Sequence, residues 1–123
     1  MKFIATLLLS ILFAVAPQPA RAAVGDDFKI VKDEVVKGLR YVTATPSAKV
    51  CSKQIDIVID VKTKKIVEGR YYRGCAGNAQ GIMALLKGMT TDEAIKRLEG
   101  IDCAGRGTSC PDQLARVLKS LKW

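Results

Sequence analysis

The sequence predicts an α+β fold: a three-stranded antiparallel meander with three short helices packed on one face. Three observations carry this. In residues 54–61, QIDIVIDV, Ile55, Ile57, Ile59 and Val61 alternate with a mostly polar set, the period-two pattern of a half-buried antiparallel strand. From Ala79 the period lengthens, since Ala79, Ile82, Met83 and Leu86 fall on one helix face. Two helix starts are then written out, Thr90 with Glu93 three residues on, and Ser109 or Cys110 before Pro111.

Taken in order, residues 26–37 space Phe28, Val31 and Val35 as a short amphipathic helix would, and Gly38 closes it. Residues 39–45, LRYVTAT, are rich in β-branched and aromatic types and read as a strand ended by Pro46 and Ser47. The strand at 54–61 connects through residues 62–65 to a partner at 66–73. Gly69 inside that partner implies a bulge or a close backbone approach. The helix through Ala79 to Leu86 ends at Gly88, and the next carries Ala94, Ile95, Leu98 and Ile101. A glycine-rich loop, residues 103–110, leads to a last helix whose buried face is Leu114, Val117, Leu118 and Leu121.

The N-terminus reads differently. Residues 3–16 form an uncharged apolar run of 14 residues, short of the roughly 20 that a spanning helix needs. Pro17 and Pro19 break the run, and Ala20-Arg21-Ala22 offers a small-x-small cleavage pattern. Residues 1–22 are expected to be a secretory signal peptide cut after Ala22, with an uncleaved anchor as the alternative. Residues 23–123 would then be one periplasmic or secreted domain with no stable membrane span. The start carries no twin arginine, so export of an unfolded chain is expected.

The 123 residues carry a formal charge of +8, which falls to +6 once Lys2 and Arg21 leave with the leader. The positives are scattered, without the basic run of a nucleic-acid tail, so no DNA or RNA partner is expected. The length excludes kinases and two-domain enzymes. The chain has no histidine, which excludes Ser-His-Asp and Cys-His catalysis and any histidine-bearing metal site.

Four cysteines are the chemical resource. Cys51 stands before the central strand, Cys75 opens a helix after the last strand, and Cys103 and Cys110 flank the glycine-rich loop. Helix N-termini favour thiolates, and four thiolates at element ends suit an all-cysteine metal site. No Cys-x-x-Cys occurs. An exported chain also pairs cysteines as disulfides, and Cys51–Cys75 with Cys103–Cys110 is the most local pairing. Both readings stand on the residues alone.

Thr108-Ser109-Cys110-Pro111-Asp112, with Cys51-Ser52-Lys53, Gly74-Cys75-Ala76-Gly77-Asn78, Lys87-Gly88-Met89 and Gly100-Ile101-Asp102-Cys103 upstream, resembles the TSCPD domain family over residues 39–121. Arg73-Gly74-Cys75 stands where family members typically have Gly-Gly-Cys. The family includes small stand-alone proteins and the C-terminal module of adenosylcobalamin-dependent ribonucleotide reductases. The resemblance implies an accessory or carrier metal-binding module acting with an unknown protein partner. Zinc is the first choice of metal and an iron–sulfur cluster the second, on Cys51, Cys75, Cys103 and Cys110. A more distant likeness to NifU-type iron–sulfur scaffolds, which order three cysteines as Cys51, Cys75 and Cys110 are ordered, implies one shared site.

Two other functions are weighed. One is a thiol-redox module on Cys103 and Cys110. The other is a nucleotide-linked module, related to ribonucleoside-diphosphate reductase, in which residues 74–81, GCAGNAQG, take a phosphate at a helix start. The alternative for that turn is tight geometry around Cys75. Arg73 and Arg106 are candidate anion contacts or solvated charges. Tyr41, Tyr71 and Trp123 are assigned to packing, and Asp112 to a cap. No catalytic residue is assigned, and the isolated chain is not expected to reduce ribonucleotides, since 101 residues leave no room for a radical barrel.

Overall fold

In the computed structural model, which describes residues 27–123, four antiparallel strands lie side by side in chain order. They are β1 (Lys29–Val36), β2 (Leu39–Thr45), β3 (Gln54–Asp60) and β4 (Ile66–Tyr72). Three helices follow, α1 (Ala76–Leu86), α2 (Thr91–Leu98) and α3 (Cys110–Ser120). The expected signal peptide, residues 1–22, lies outside the described residues.

The α+β class and the three helices stand as read, but the meander has four strands. The segment expected to be an amphipathic helix is β1. Lys37 and Gly38 explain the difference, for both adopt positive φ, 51° and 78°. Two consecutive left-handed residues make the tight hairpin turn that matches strand twist, so Gly38 closes a hairpin and not a helix. Val36 accordingly faces Leu39 across the turn. The helical spacing of Val31 and Val35 was a coincidence of an edge strand, and both side chains are more than half exposed. A register shift between Ile30 and Lys32, together with the charges Lys29, Lys32, Asp33 and Glu34, blunts this free edge.

β3 alternates as its sequence requires. Ile55, Ile57 and Ile59 are all but fully buried, beside Val42, Ala44 and Ile66 on the same sheet face. The helices cover that face with Met83, Leu86, Ala94, Leu98, Leu114, Val117, Leu118 and Leu121. The other face, with Tyr41, Thr43, Asp56, Glu68 and Arg70, lines an open groove. Gly69 serves a close approach, because a Cβ there would lie 2.4 Å from Met83 Sδ of α1. The sheet bulge falls next to it, between Val58 and Ile59.

The helix ends are set by local chemistry. Thr90 caps α2, its Oγ1 accepting the Glu93 N–H at 3.3 Å. Ser109 caps α3, its Oγ accepting the Asp112 N–H at 3.1 Å. Ile101 lies beyond α2 and is 42% exposed, so it is not part of that helix's buried stripe. At the C-terminus Trp123 lies between the Arg40 guanidinium, 4.7 Å from its ring centre, and Lys64 Nζ at 5.3 Å. Arg40 also donates to both Asp33 carboxylate oxygens at 2.7 Å. These hydrogen bonds hold the Asp33 carboxyl below its ordinary range. The stabilisation from that pair is therefore present above the ordinary carboxylate pKa of about 3.9 and is lost as pH falls through the lowered value.

Arg73, just past β4, carries φ of 62°, a left-handed conformation that side chains larger than glycine disfavour. Arg73→Gly should raise thermal stability by up to about 1 kcal/mol, the strain relieved exceeding the entropy added to the unfolded chain. Differential scanning calorimetry checks this. A lower melting temperature would show that the arginine side chain compensates its own backbone.

Candidate functional site

One end of the sheet gathers four separate segments. These are the loop before β3, the β4–α1 turn, the loop after α2, and the start of α3. Each brings one cysteine. Cys51 lies in the first, Cys75 is the N-cap of α1, Cys103 lies in the third and Cys110 is the first residue of α3. All four line a single cavity of about 260 Å³. Cys51, Cys75 and Cys103 are exposed and Cys110 is half-buried, and all four are free thiols.

Backbone and side-chain bonds hold these segments in place. The Lys53 N–H donates to the Tyr72 carbonyl at 2.8 Å, which ties the Cys51 loop to the end of β4. The Tyr71 hydroxyl donates to the Cys110 carbonyl at 3.1 Å, joining β4 to α3. Burial pushes the Tyr71 hydroxyl pKa well above its ordinary value, and the nearby Cys110 adds to the rise, so Tyr71 stays a neutral donor. Gly74 has φ of 98°, and a Cβ there would lie 3.5 Å from Ser52 N and 3.6 Å from Cys51 Cβ. The turn before Cys75 therefore lies in ordinary van der Waals reach of the Cys51–Ser52 loop, and what glycine supplies there is the left-handed backbone.

The Cys103 loop is closed on itself. Asp102 accepts the Gly107 N–H at 2.6 Å and the Gly105 N–H at 2.7 Å. The Cys103 N–H donates to the Thr108 carbonyl at 3.1 Å. Arg106 reaches to the Cys51 loop, its Nη1 donating to the Lys49 carbonyl at 3.3 Å and lying 3.8 Å from Cys51 Sγ. Of the two candidate anion contacts, Arg106 thus touches a cysteine sulfur, and Arg73 lines the cavity.

Beneath the cysteines lies a buried polar network. Thr108, Ser109, Asp112 and Gln113 are all at most 3% exposed. Asp112 Oδ1 accepts the Gly100 N–H at 2.8 Å. Its Oδ2 accepts the Thr108 hydroxyl at 2.6 Å and pairs with Arg116 Nε at 2.8 Å. Gln113 Oε1 accepts the Ser47 N–H at 2.9 Å, and its Nε2 donates to Thr108 Oγ1 at 3.0 Å. Arg116 also donates to the Gly107 carbonyl at 3.3 Å. The start of α3 thereby clamps the loops that carry Cys51 and Cys103, and Asp112 does far more than cap. A sequence signal for this existed: Gln113 lies four residues before Val117 on the apolar stripe of α3, where a polar side chain must find buried partners.

The TSCPD domain family matches residues 29–122, the whole of the described sheet and all three helices. The chain belongs to the TSCPD domain family. The match takes in β1, so the edge strand is part of the domain. The Thr108–Asp112 motif, read in the fold, is the clamp just described with one thiol presented at its outer side. No curated protein and no solved structure matches this TSCPD chain.

The fit of a metal can be judged on the residues. Four thiols on one cavity are the donor set for a tetrahedral thiolate ion. Among the described residues no three cysteine or carboxylate side chains are close enough together, as they stand, to hold an ion. One further feature fits an occupant. Ser52 is 1% exposed, lines the cavity, and its Oγ has no hydrogen-bond partner, a state that costs about 1–3 kcal/mol. No helix of the described residues is long and apolar enough to cross a membrane.

Proposed function

We propose that this TSCPD domain is an exported metal-binding module with an accessory or carrier role, and that Cys51, Cys75, Cys103 and Cys110 together hold zinc. The observation that carries this is the shared cavity: four cysteines spread over 60 residues of sequence line one space. The leader-like residues 1–22 support export, and a chain that folds outside the cytoplasm can take up zinc without cluster-building machinery. Zinc bound there would cross-link four segments and so contribute directly to folding. An iron–sulfur cluster would use the same four sulfurs.

The test is the metal content of protein purified from the periplasm, with free thiols counted on the same sample after denaturation. One zinc per chain, with all four thiols recovered after chelation, is the expected result. Absence of metal with thiols missing in pairs would mean a disulfide-stabilised domain instead. A mass beginning at Ala23 is expected of the exported product, and retention of residues 1–22 in the membrane would refute cleavage.

A further inference from the structure

Among the described residues, Ser52 Oγ is the one buried side-chain oxygen or nitrogen with no hydrogen-bond partner. Its setting narrows what can satisfy it. The loop that carries Ser52 runs beside the turn at Gly74 and is held by the Lys53–Tyr72 backbone bond. Ser52 also lines the cavity of the four cysteines. Tyr71, on the same cavity wall, already donates its hydroxyl to the Cys110 carbonyl. The cavity wall also carries the polar Arg73, Asn78, Asp102 and Ser109, and none of them bonds Ser52 Oγ as the side chains stand.

Sulfur is what the cavity offers in quantity. A neutral thiol is a weak acceptor, and none is within bonding distance of Ser52 Oγ now. A metal-bound thiolate is a strong acceptor, because hydrogen bonds to charged groups are roughly twice as strong as neutral ones. Partners of this kind orient ligands and tune the metal they surround.

We propose that Ser52 is a positioning residue of the thiol site, whose hydroxyl donates to a cysteine thiolate when the four sulfurs turn onto the metal. The proposal rests on the zinc reading of the four cysteines. The hydroxyl, which has no partner with the sulfurs as they stand, gains one when a metal-bound thiolate comes within reach. The Ser52→Ala change should consequently act with opposite signs in the two states. In the metal-free protein it removes an unsatisfied buried group and should leave stability equal or raised. In the loaded protein it removes a bond to the ligand shell.

The experiment compares the parent protein with Ser52→Ala, both fully reduced. Zinc affinity is measured by chelator competition, the thiolate-to-metal absorption band after loading with cobalt(II), and the melting temperature of the metal-free form. Zinc binding should weaken about 10–100-fold, the usual effect of removing such a partner. The cobalt band should move to lower energy, since a thiolate without its hydrogen bond gives up charge more readily. Metal-free melting should not fall. Equal zinc affinity with an unmoved band overturns the proposal while leaving the zinc reading intact. Weaker zinc binding with a lowered metal-free melting temperature and an unmoved band makes the hydroxyl a packing group and also overturns it. A parent protein that takes up neither zinc nor cobalt overturns the zinc reading, and this proposal with it.

Discussion

Asp112→Ala is expected to remove about 3–5 kcal/mol of stability, the cost of deleting one partner of a buried charged pair. Domains of this size hold only about 5–15 kcal/mol in total, so much of the variant should be unfolded at moderate urea. The carboxylate is 2% exposed and serves three partners, the Gly100 N–H, the Thr108 hydroxyl and Arg116 Nε. Alanine leaves all three without this acceptor, the Thr108 hydroxyl among them in a buried position. Asp112→Asn keeps one carbonyl oxygen and the shape, and should lose roughly half as much. Urea unfolding followed by circular dichroism measures both. A loss under about 1 kcal/mol for the alanine variant would mean that the network is replaceable by solvent and does not hold the loops. The loosening should be local first, since the Gly100 and Thr108 bonds bracket the loop that carries Cys103. Limited proteolysis of the alanine variant should cut between α2 and α3 before it cuts the sheet.

What was legible in the sequence depended on how local the signal was. β3 declared itself because Ile55, Ile57 and Ile59 alternate against polar neighbours, and the caps at Thr90 and Ser109 each need only a hydroxyl and an N–H three residues on. β1 was misread because its edge position demands no burial pattern, which left the chance spacing of Phe28, Val31 and Val35 to suggest a helix. The deciding signal was the two-residue turn at Lys37-Gly38, visible only if lysine is allowed a positive φ. The cysteine set was legible as four residues at element ends. Their meeting on one cavity was expected only through the family resemblance and not from the residues themselves, because it depends on long-range bonds such as Ser47 to Gln113 and Tyr71 to Cys110. The polar clamp below them was missed for a similar reason: Asp112 reads locally as a cap and Gln113 carries no role of its own, while their partners lie in other segments.

The four single Cys→Ser variants should lose zinc as a set. A tetrathiolate ion needs every sulfur, and serine offers a hydroxyl that stays protonated near neutral pH, so each variant should fall below one zinc per chain. The readout is the gain in melting temperature on adding zinc, not the melting temperature itself. Cys110 also packs against the core, so its change costs stability with or without metal. A parent saturated to about a thousand times its dissociation constant gains about 4 kcal/mol. In a domain of roughly 100 residues that corresponds to more than 10 °C. The gain should be abolished alike for Cys51→Ser, Cys75→Ser, Cys103→Ser and Cys110→Ser, although these residues lie on four different segments. Disulfides would behave otherwise. Cys103→Ser and Cys110→Ser would then match each other, Cys51→Ser would match Cys75→Ser, and zinc would change nothing in any of them. Scanning calorimetry of the parent and the four variants, purified without reductant, each with and without zinc, separates the two patterns. A pairwise result sinks the single-site reading, because one ion shared by four sulfurs cannot be lost two residues at a time.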